Sequence, residues 1–138
     1  MKNIHKGFLL VALLLVLSSC ATLQSRMSAL ASTTGSVTLR VERLCARNLM
    51  PDGATNKSIL LKATEGTPYE RGDFEDYTFN AKCVSAHAVV LICSKDGAKA
   101  LIEETACVMG PDKNHWEAKP PVPCDFTIDE RYINEKCK

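Results

Sequence analysis

A chain of 138 residues, 46% hydrophobic and 24% charged, holds one compact domain at most. That balance excludes a disordered chain, a collagen-like repeat and a multidomain enzyme, and a net charge of +1 leaves no electrostatic footprint for nucleic acid. Seven cysteines in so short a chain are the outlying feature.

The first twenty residues read as a sorting signal. Lys2 and Lys6 supply a positive start, and an uninterrupted apolar run follows from Phe8 to Leu17. That run is roughly half of what spans a bilayer as a helix, so it fits a secretory signal peptide and not a transmembrane anchor. It ends in Leu17-Ser18-Ser19-Cys20. An apolar residue, two small residues and a cysteine in this order resemble the lipobox of bacterial lipoproteins. The resemblance implies a signal over residues 1–19 and a Cys20 that becomes the N-terminus, carrying diacylglycerol and fatty acyl chains such as palmitate. It also implies a chain anchored to a bacterial membrane. Residue 21 is Ala and not Asp, which in a Gram-negative host points to the outer membrane. An ordinary cleavage site at Ser19-Cys20-Ala21, and free secretion, is the alternative. Loss of Lys2 and Lys6 with the signal leaves 15 basic against 16 acidic residues, so the mature chain offers no basic excess for polyanions.

Residues 20–36 are rich in Ser, Thr and Ala and poor in large apolar groups, which predicts a flexible tether. A short amphipathic helix over Leu23–Leu30 is the competing reading. Residues 37–138 form the expected domain. Val37, Leu39 and Val41 alternate with Thr38, Arg40 and Glu42, the period-two signature of a half-buried strand. Turn chemistry at Asn48, Pro51, Asp52, Gly53 and Asn56 precedes a second expected strand over 58–64, around Ile59, Leu60 and Leu61. A polar loop follows through Gly66, Pro68 and Gly72. Residues 77–84 give a third strand. Residues 88–93 are almost wholly apolar and predict a strand covered on both faces. Lys95-Asp96-Gly97 marks a tight turn, and 98–109 runs back as the partner strand, with a helix over Ala98–Cys107 as the alternative. Pro120, Pro121 and Pro123 close off regular structure. The sum is an all-β domain, a small antiparallel sandwich or barrel of five to seven strands stapled by disulfides.

With Cys20 set aside, Cys45, Cys83, Cys93, Cys107, Cys124 and Cys137 remain, an even set that reads as a disulfide framework in an oxidising compartment. Six cysteines allow fifteen pairings, and spacing does not choose among them. Neither a Cys-x-x-Cys pair nor a histidine pair at helix-face spacing occurs, so no metal and no cofactor is expected. Cys137 is expected to tie the tail from Phe126 back onto the domain.

From Val89 the order Val89-Val90-Leu91-Ile92-Cys93, Gly97, Leu101, Cys107, Trp116, Pro123, Cys124 resembles the second half of a sushi (complement-control) module. That family implies an elongated β module that binds proteins without catalysis. It would pair Cys45 with Cys107 and Cys93 with Cys124, leaving Cys83 and Cys137 for an extra bridge. Trp116 read alone is a core aromatic beside a disulfide.

His87 and His115 lie near no nucleophile motif and are expected in solvent. Glu70, Asp73, Glu75 and Asp76 lack the spacing of a calcium loop and read as a solvated acidic face. Asn56-Lys57-Ser58 is a glycosylation sequon, relevant only in a eukaryotic host. Together these features predict a membrane-anchored envelope lipoprotein, not an enzyme, whose domain binds an envelope or extracellular protein. Tyr69, Phe74 and Tyr77 are the candidate contacts, with core positions as the alternative for Phe74 and Tyr77. A freely secreted sushi-like module, or a protease inhibitor acting through Gly66–Phe74, is the second reading.

Overall fold

The computed structural model describes residues 4–50, 53–68, 71–108 and 111–137, with residues 4–21 as helical backbone alone. The chain divides into two compact units, Met1–Leu30 and Ala31–Lys138. Helix α1 runs over Ile4–Ala46, so the first unit is helical where it is described. The expected tether over 20–36 is therefore helical, and its helical alternative over Leu23–Leu30 falls inside a longer element. Among the described residues, no helix is long and apolar enough to cross a membrane.

The second unit begins with the last turns of α1 and not with a strand. Its buried side chains there are Thr34, Val37, Thr38, Val41 and Cys45, the spacing of one helical stripe. Val37 and Val41 are four residues apart, in phase for a strand face and for a helix turn alike. Leu39 distinguishes the two, and it stands 53% exposed on the outer side. The hydroxyl of Thr38 donates to the carbonyl of Thr34 at 2.8 Å, which lets a threonine be buried inside a helix. Residues 58–64 are also helical. Helix α2 spans Asn56–Thr64, capped by Thr55, whose side chain accepts from the N–H of Ser58. Ile59, Leu60, Ala63 and Thr64 are buried while Leu61 is exposed.

The sheet follows, antiparallel throughout, in the order β1 (Tyr77–Val84), β2 (His87–Ser94), β3 (Ala100–Thr105) and β4 (Lys113–Asn114). The β2–β3 turn forms at Asp96-Gly97 as expected, with Gly97 at φ +69° and its N–H donating to the carbonyl of Ser94. A bulge between Ile92 and Cys93 shifts the register, so that Ile92 faces Ile102 and Cys93 faces Ala100. The strand of residues 88–93 is buried at every position.

Two different layers achieve that burial. One face of β2 carries Ala88, Val90 and Ile92. Helix α1 meets it through Cys45–Cys83, through Glu42 at Ala88 and through Gly35, which lies close to Glu104 of β3. The other face carries Val89, Leu91 and Cys93. It is covered by Val122, Cys124, Phe126, Ile128 and Ile133 of the C-terminal segment, which ends in helix α3 (Glu130–Lys136). The fold is thus α+β: a four-stranded antiparallel sheet with helical and irregular cover. A second sheet, as a sandwich or barrel requires, is not what packs on it.

All six downstream cysteines pair: Cys45 with Cys83, Cys93 with Cys124, and Cys107 with Cys137, at Cα separations of 5.6, 5.8 and 5.1 Å. Of the pairs the sushi resemblance implies, Cys93–Cys124 is present and Cys45–Cys107 is not, because Cys45 sits on a helix packed beside β1. Cys137 does tie the tail back. Each bridge closes a loop of 30 to 38 residues, worth about 3–4 kcal/mol in restricted unfolded chain.

The β1–β2 turn is the strained point of the backbone. Ser85 and Ala86 both hold positive φ, at 49° and 68°. A two-residue hairpin of this twist favours Asn-Gly, and an alanine there carries a Cβ penalty of about 1 kcal/mol. Ala86→Gly should raise the urea midpoint by the equivalent of up to about 1 kcal/mol, and Ala86→Val should lower it. An Ala86→Val protein of unchanged midpoint would contradict this account of the turn.

Candidate functional site

Three polar clusters lie on the sheet. The first gathers at the strained turn. Glu42, projecting from α1, accepts from the N–H of Ala88 and lies 2.6 Å from His87 Nδ1. A carboxylate only accepts, so Nδ1 carries the proton and His87 donates from it. The Sγ of Cys107 stands 3.6 Å from the same nitrogen, and Cys107 is bonded to Cys137. On the far side of the turn, Ser85 Oγ donates to Glu130 of α3 at 3.0 Å. His87 is therefore held in a half-buried corner and not in solvent. A cysteine–histidine–carboxylate relay needs thiol and carboxylate on opposite ring nitrogens. Here both face Nδ1 and the sulfur is in a disulfide, so the corner is not arranged for nucleophilic attack.

The second cluster surrounds Glu103, which is fully buried. Its carboxylate accepts from the N–H groups of Thr127 and Ile128, each at 2.8 Å, and from the Thr127 hydroxyl. Thr127 Oγ1 accepts in turn from Lys113 Nζ at 2.7 Å. His115 Nε2 approaches the same carboxylate to 3.5 Å without a hydrogen bond, in a side chain only 12% exposed. This second histidine is also half-buried and not free in solvent.

The third cluster belongs to Glu104, whose side chain leaves the opposite face of β3. An ideal Cβ on Gly35 would stand 2.7 Å from its Oε1, so a larger residue at position 35 would require the Glu104 carboxylate to shift. Among the described residues, its Oε2 has no hydrogen-bond partner. Burial, and then the negative charge of Asp112, push the Glu104 carboxyl up from 4.5 to about 7. Asp112 is itself tied down: Thr105 donates to it through N–H and hydroxyl, and the Tyr132 hydroxyl donates at 2.9 Å. Burial and that hydrogen bond raise the Tyr132 phenol to about 12.

The expected contact residues separate. Tyr69 lies outside the described residues. Phe74 is 3% exposed and meets Phe79 edge to face, with ring centroids 5.7 Å apart. It is a core residue and not a surface contact. Tyr77 is half-buried at the start of β1, opposite Ser94. In the acidic loop, Glu70 is outside the described residues, while Asp73, Glu75 and Asp76 are exposed, and Asp76 pairs with Lys95 at 3.2 Å. Asn56 of the sequon joins α2 to the edge strand: its Oδ1 accepts from the N–H of Ala81 and its Nδ2 donates to Asn80. Cys20 lies on helical backbone, and its side chain is outside what is described.

Comparison with known protein families, curated proteins and solved structures yields no match.

The two glutamates predict opposite outcomes. Glu103→Ala strands two backbone N–H groups in the core and should cost about 3 kcal/mol or more in denaturant unfolding. Glu104 binds its proton more tightly folded than unfolded, so its contribution is neutral below about pH 4.5 and turns unfavourable as pH rises through about 7. Glu104→Gln should therefore stabilise the protein by about 2 kcal/mol at pH 8 and by little at pH 5. Equal effects of Glu104→Gln at the two pH values would show that this carboxylate is not the source.

Proposed function

We propose that this chain is a cell-envelope lipoprotein, held to a bacterial membrane by acyl chains on Cys20, whose small disulfide-stapled domain serves as a binding or assembly module. The observation that carries the reading is Leu17-Ser18-Ser19-Cys20 placed directly after the apolar run Phe8–Leu17. The three bridges support it, because they suit an extracellular or envelope environment. Two or more acyl chains, at about 0.8 kcal/mol per buried methylene, would make the attachment stable without a spanning helix.

The binding reading rests on how the polar groups are used. The carboxylates of Glu42, Glu103 and Asp112 are engaged in holding backbone and neighbouring elements together. Among its exposed side chains the domain presents two large apolar ones on its helices: Leu39 on α1 and Leu61 on α2 stand more than half exposed. With Phe74 in the core, these leucines and Tyr77 are the better candidates for contact with an envelope protein.

Cys20→Ser should move the protein from the membrane to the soluble fraction or block its processing. The intact mass of the wild-type mature chain should show diacylglycerol and fatty acid on a chain that begins at Cys20. A Cys20→Ser protein that stays in the membrane fraction at wild-type mass would overturn the anchor.

A further inference from the structure

His87, Cys107 and Cys137 bring a ring nitrogen and two sulfurs within 4.8 Å of one another, and Glu42 adds a carboxylate at 2.6 Å from that nitrogen. We propose that this corner is a zinc site that opens when the Cys107–Cys137 disulfide is reduced: Cys107 Sγ, Cys137 Sγ and His87 Nδ1 bind the ion, and Glu42 Oε1 completes the coordination. The donor set fits zinc, which takes thiolate, imidazole and carboxylate in a tetrahedron. Zinc bonds of about 2.3 Å to sulfur and about 2.0–2.1 Å to nitrogen place those two atoms about 3.6 Å apart. Cys107 Sγ and His87 Nδ1 are 3.6 Å apart already.

The reaction that opens the site is thiol–disulfide exchange. A thiol reductant gives two equivalents of R–SH; its thiolate attacks the Sγ of Cys137, and the Cys107 sulfur leaves with the bond's electron pair. A second thiol then resolves the mixed disulfide, yielding R–S–S–R and two protein thiols. Zinc then displaces one proton from each thiol. The His87 proton passes from Nδ1 to Nε2 through solvent, so imidazole binds neutral and two protons are released in all. Glu42 exchanges its hydrogen bond to Nδ1 for the ion, while its other oxygen keeps the N–H of Ala88.

The site also explains why the carboxylate and the sulfur share one ring nitrogen, an arrangement useless for a relay and natural around a common ion. Its ligands come from α1, from the start of β2, from the segment after β3 and from the residue that ends α3. Zinc would thus take over the cross-link that reduction removes and keep α3 over Val89 and Ile128.

The test uses the folded full chain, treated with a thiol reductant under anaerobic conditions and titrated with Zn²⁺, with Co²⁺ as the spectroscopic probe. Differential alkylation records which bridges have opened. One ion per chain should bind, and cobalt should give tetrahedral d–d bands with sulfur-to-cobalt charge transfer. Binding should depend on reduction. His87→Ala should weaken it at least about tenfold, Glu42→Gln about tenfold, and Cys107→Ser/Cys137→Ser should abolish it. The Cys45→Ala/Cys83→Ala variant, or a wild-type sample in which only Cys107 and Cys137 alkylate, should retain it. Absence of stoichiometric zinc in the reduced wild-type protein would overturn the proposal. So would binding that survives unchanged in both His87→Ala and Cys107→Ser/Cys137→Ser, since the ion would then sit on other thiols.

Discussion

A central hairpin strand buried on both faces is the constraint on which the rest of the structure depends. Every residue from Ala88 to Cys93 is withdrawn from solvent, so the sheet needs two covers, and among the described residues no second sheet supplies either. The chain uses its ends instead. The last turns of α1 lie on the Val90 and Ile92 face, and the segment from Val122 to Ile133 lies on the Leu91 face. The C-terminal cover would not hold as an isolated element, because it is largely irregular chain that ends in a helix of seven residues, too short to be stable by itself. The disulfides answer that weakness. Cys45–Cys83 fastens the first cover to β1, and Cys93–Cys124 fastens the second to β2. Cys107–Cys137 closes its end.

Burial on both faces also sets the behaviour of two neighbouring glutamates. Glu103 and Glu104 leave β3 on opposite sides and both sit almost wholly out of water. Glu103 meets backbone N–H groups and a hydroxyl, so its charge is compensated by the segment it holds in place. Glu104 meets a helix at Gly35 and the like charge of Asp112, so burial acts on it without full compensation. One side chain type in adjacent positions thus becomes a fixed anchor on one face and a proton-dependent contact on the other.

The part of this fold that is local was legible in the sequence. The apolar run 88–93, the Asp96-Gly97 turn and the return strand depend on near neighbours, and within 98–109 the expected strand forms over Ala100–Thr105 in place of the alternative helix over Ala98–Cys107. The helices at 31–46 and 56–64 were not legible as such. Valines four residues apart satisfy both periods, and β-branched Thr and Val point to a strand until a sheet surface is there to bury a helical stripe. Thr55 three residues before Ser58 was the available signal for α2. The polar corner could not be read, because Glu42 and His87 are 45 residues apart and meet only after α1 has packed. Glu103-Glu104 inside an apolar strand was the one visible anomaly: charges there face either solvent or a built partner.

The hairpin end at Ser85 and Ala86 is where these threads join. Its backbone is strained, and it is hydrogen-bonded from both covers at once: Glu42 of α1 holds Ala88 and His87, and Glu130 of α3 accepts from Ser85. Strain at a turn persists where the surroundings over-determine it. Here that over-determination comes from two layers that otherwise lie on opposite sides of the sheet. Loosening of either cover therefore removes part of what keeps the turn in its left-handed conformation, and relaxation of the turn weakens the hold on the other cover. The Cys107–Cys137 bridge stands beside His87 at this point, so the covalent link that secures the C-terminal layer borders the residue through which α1 is held.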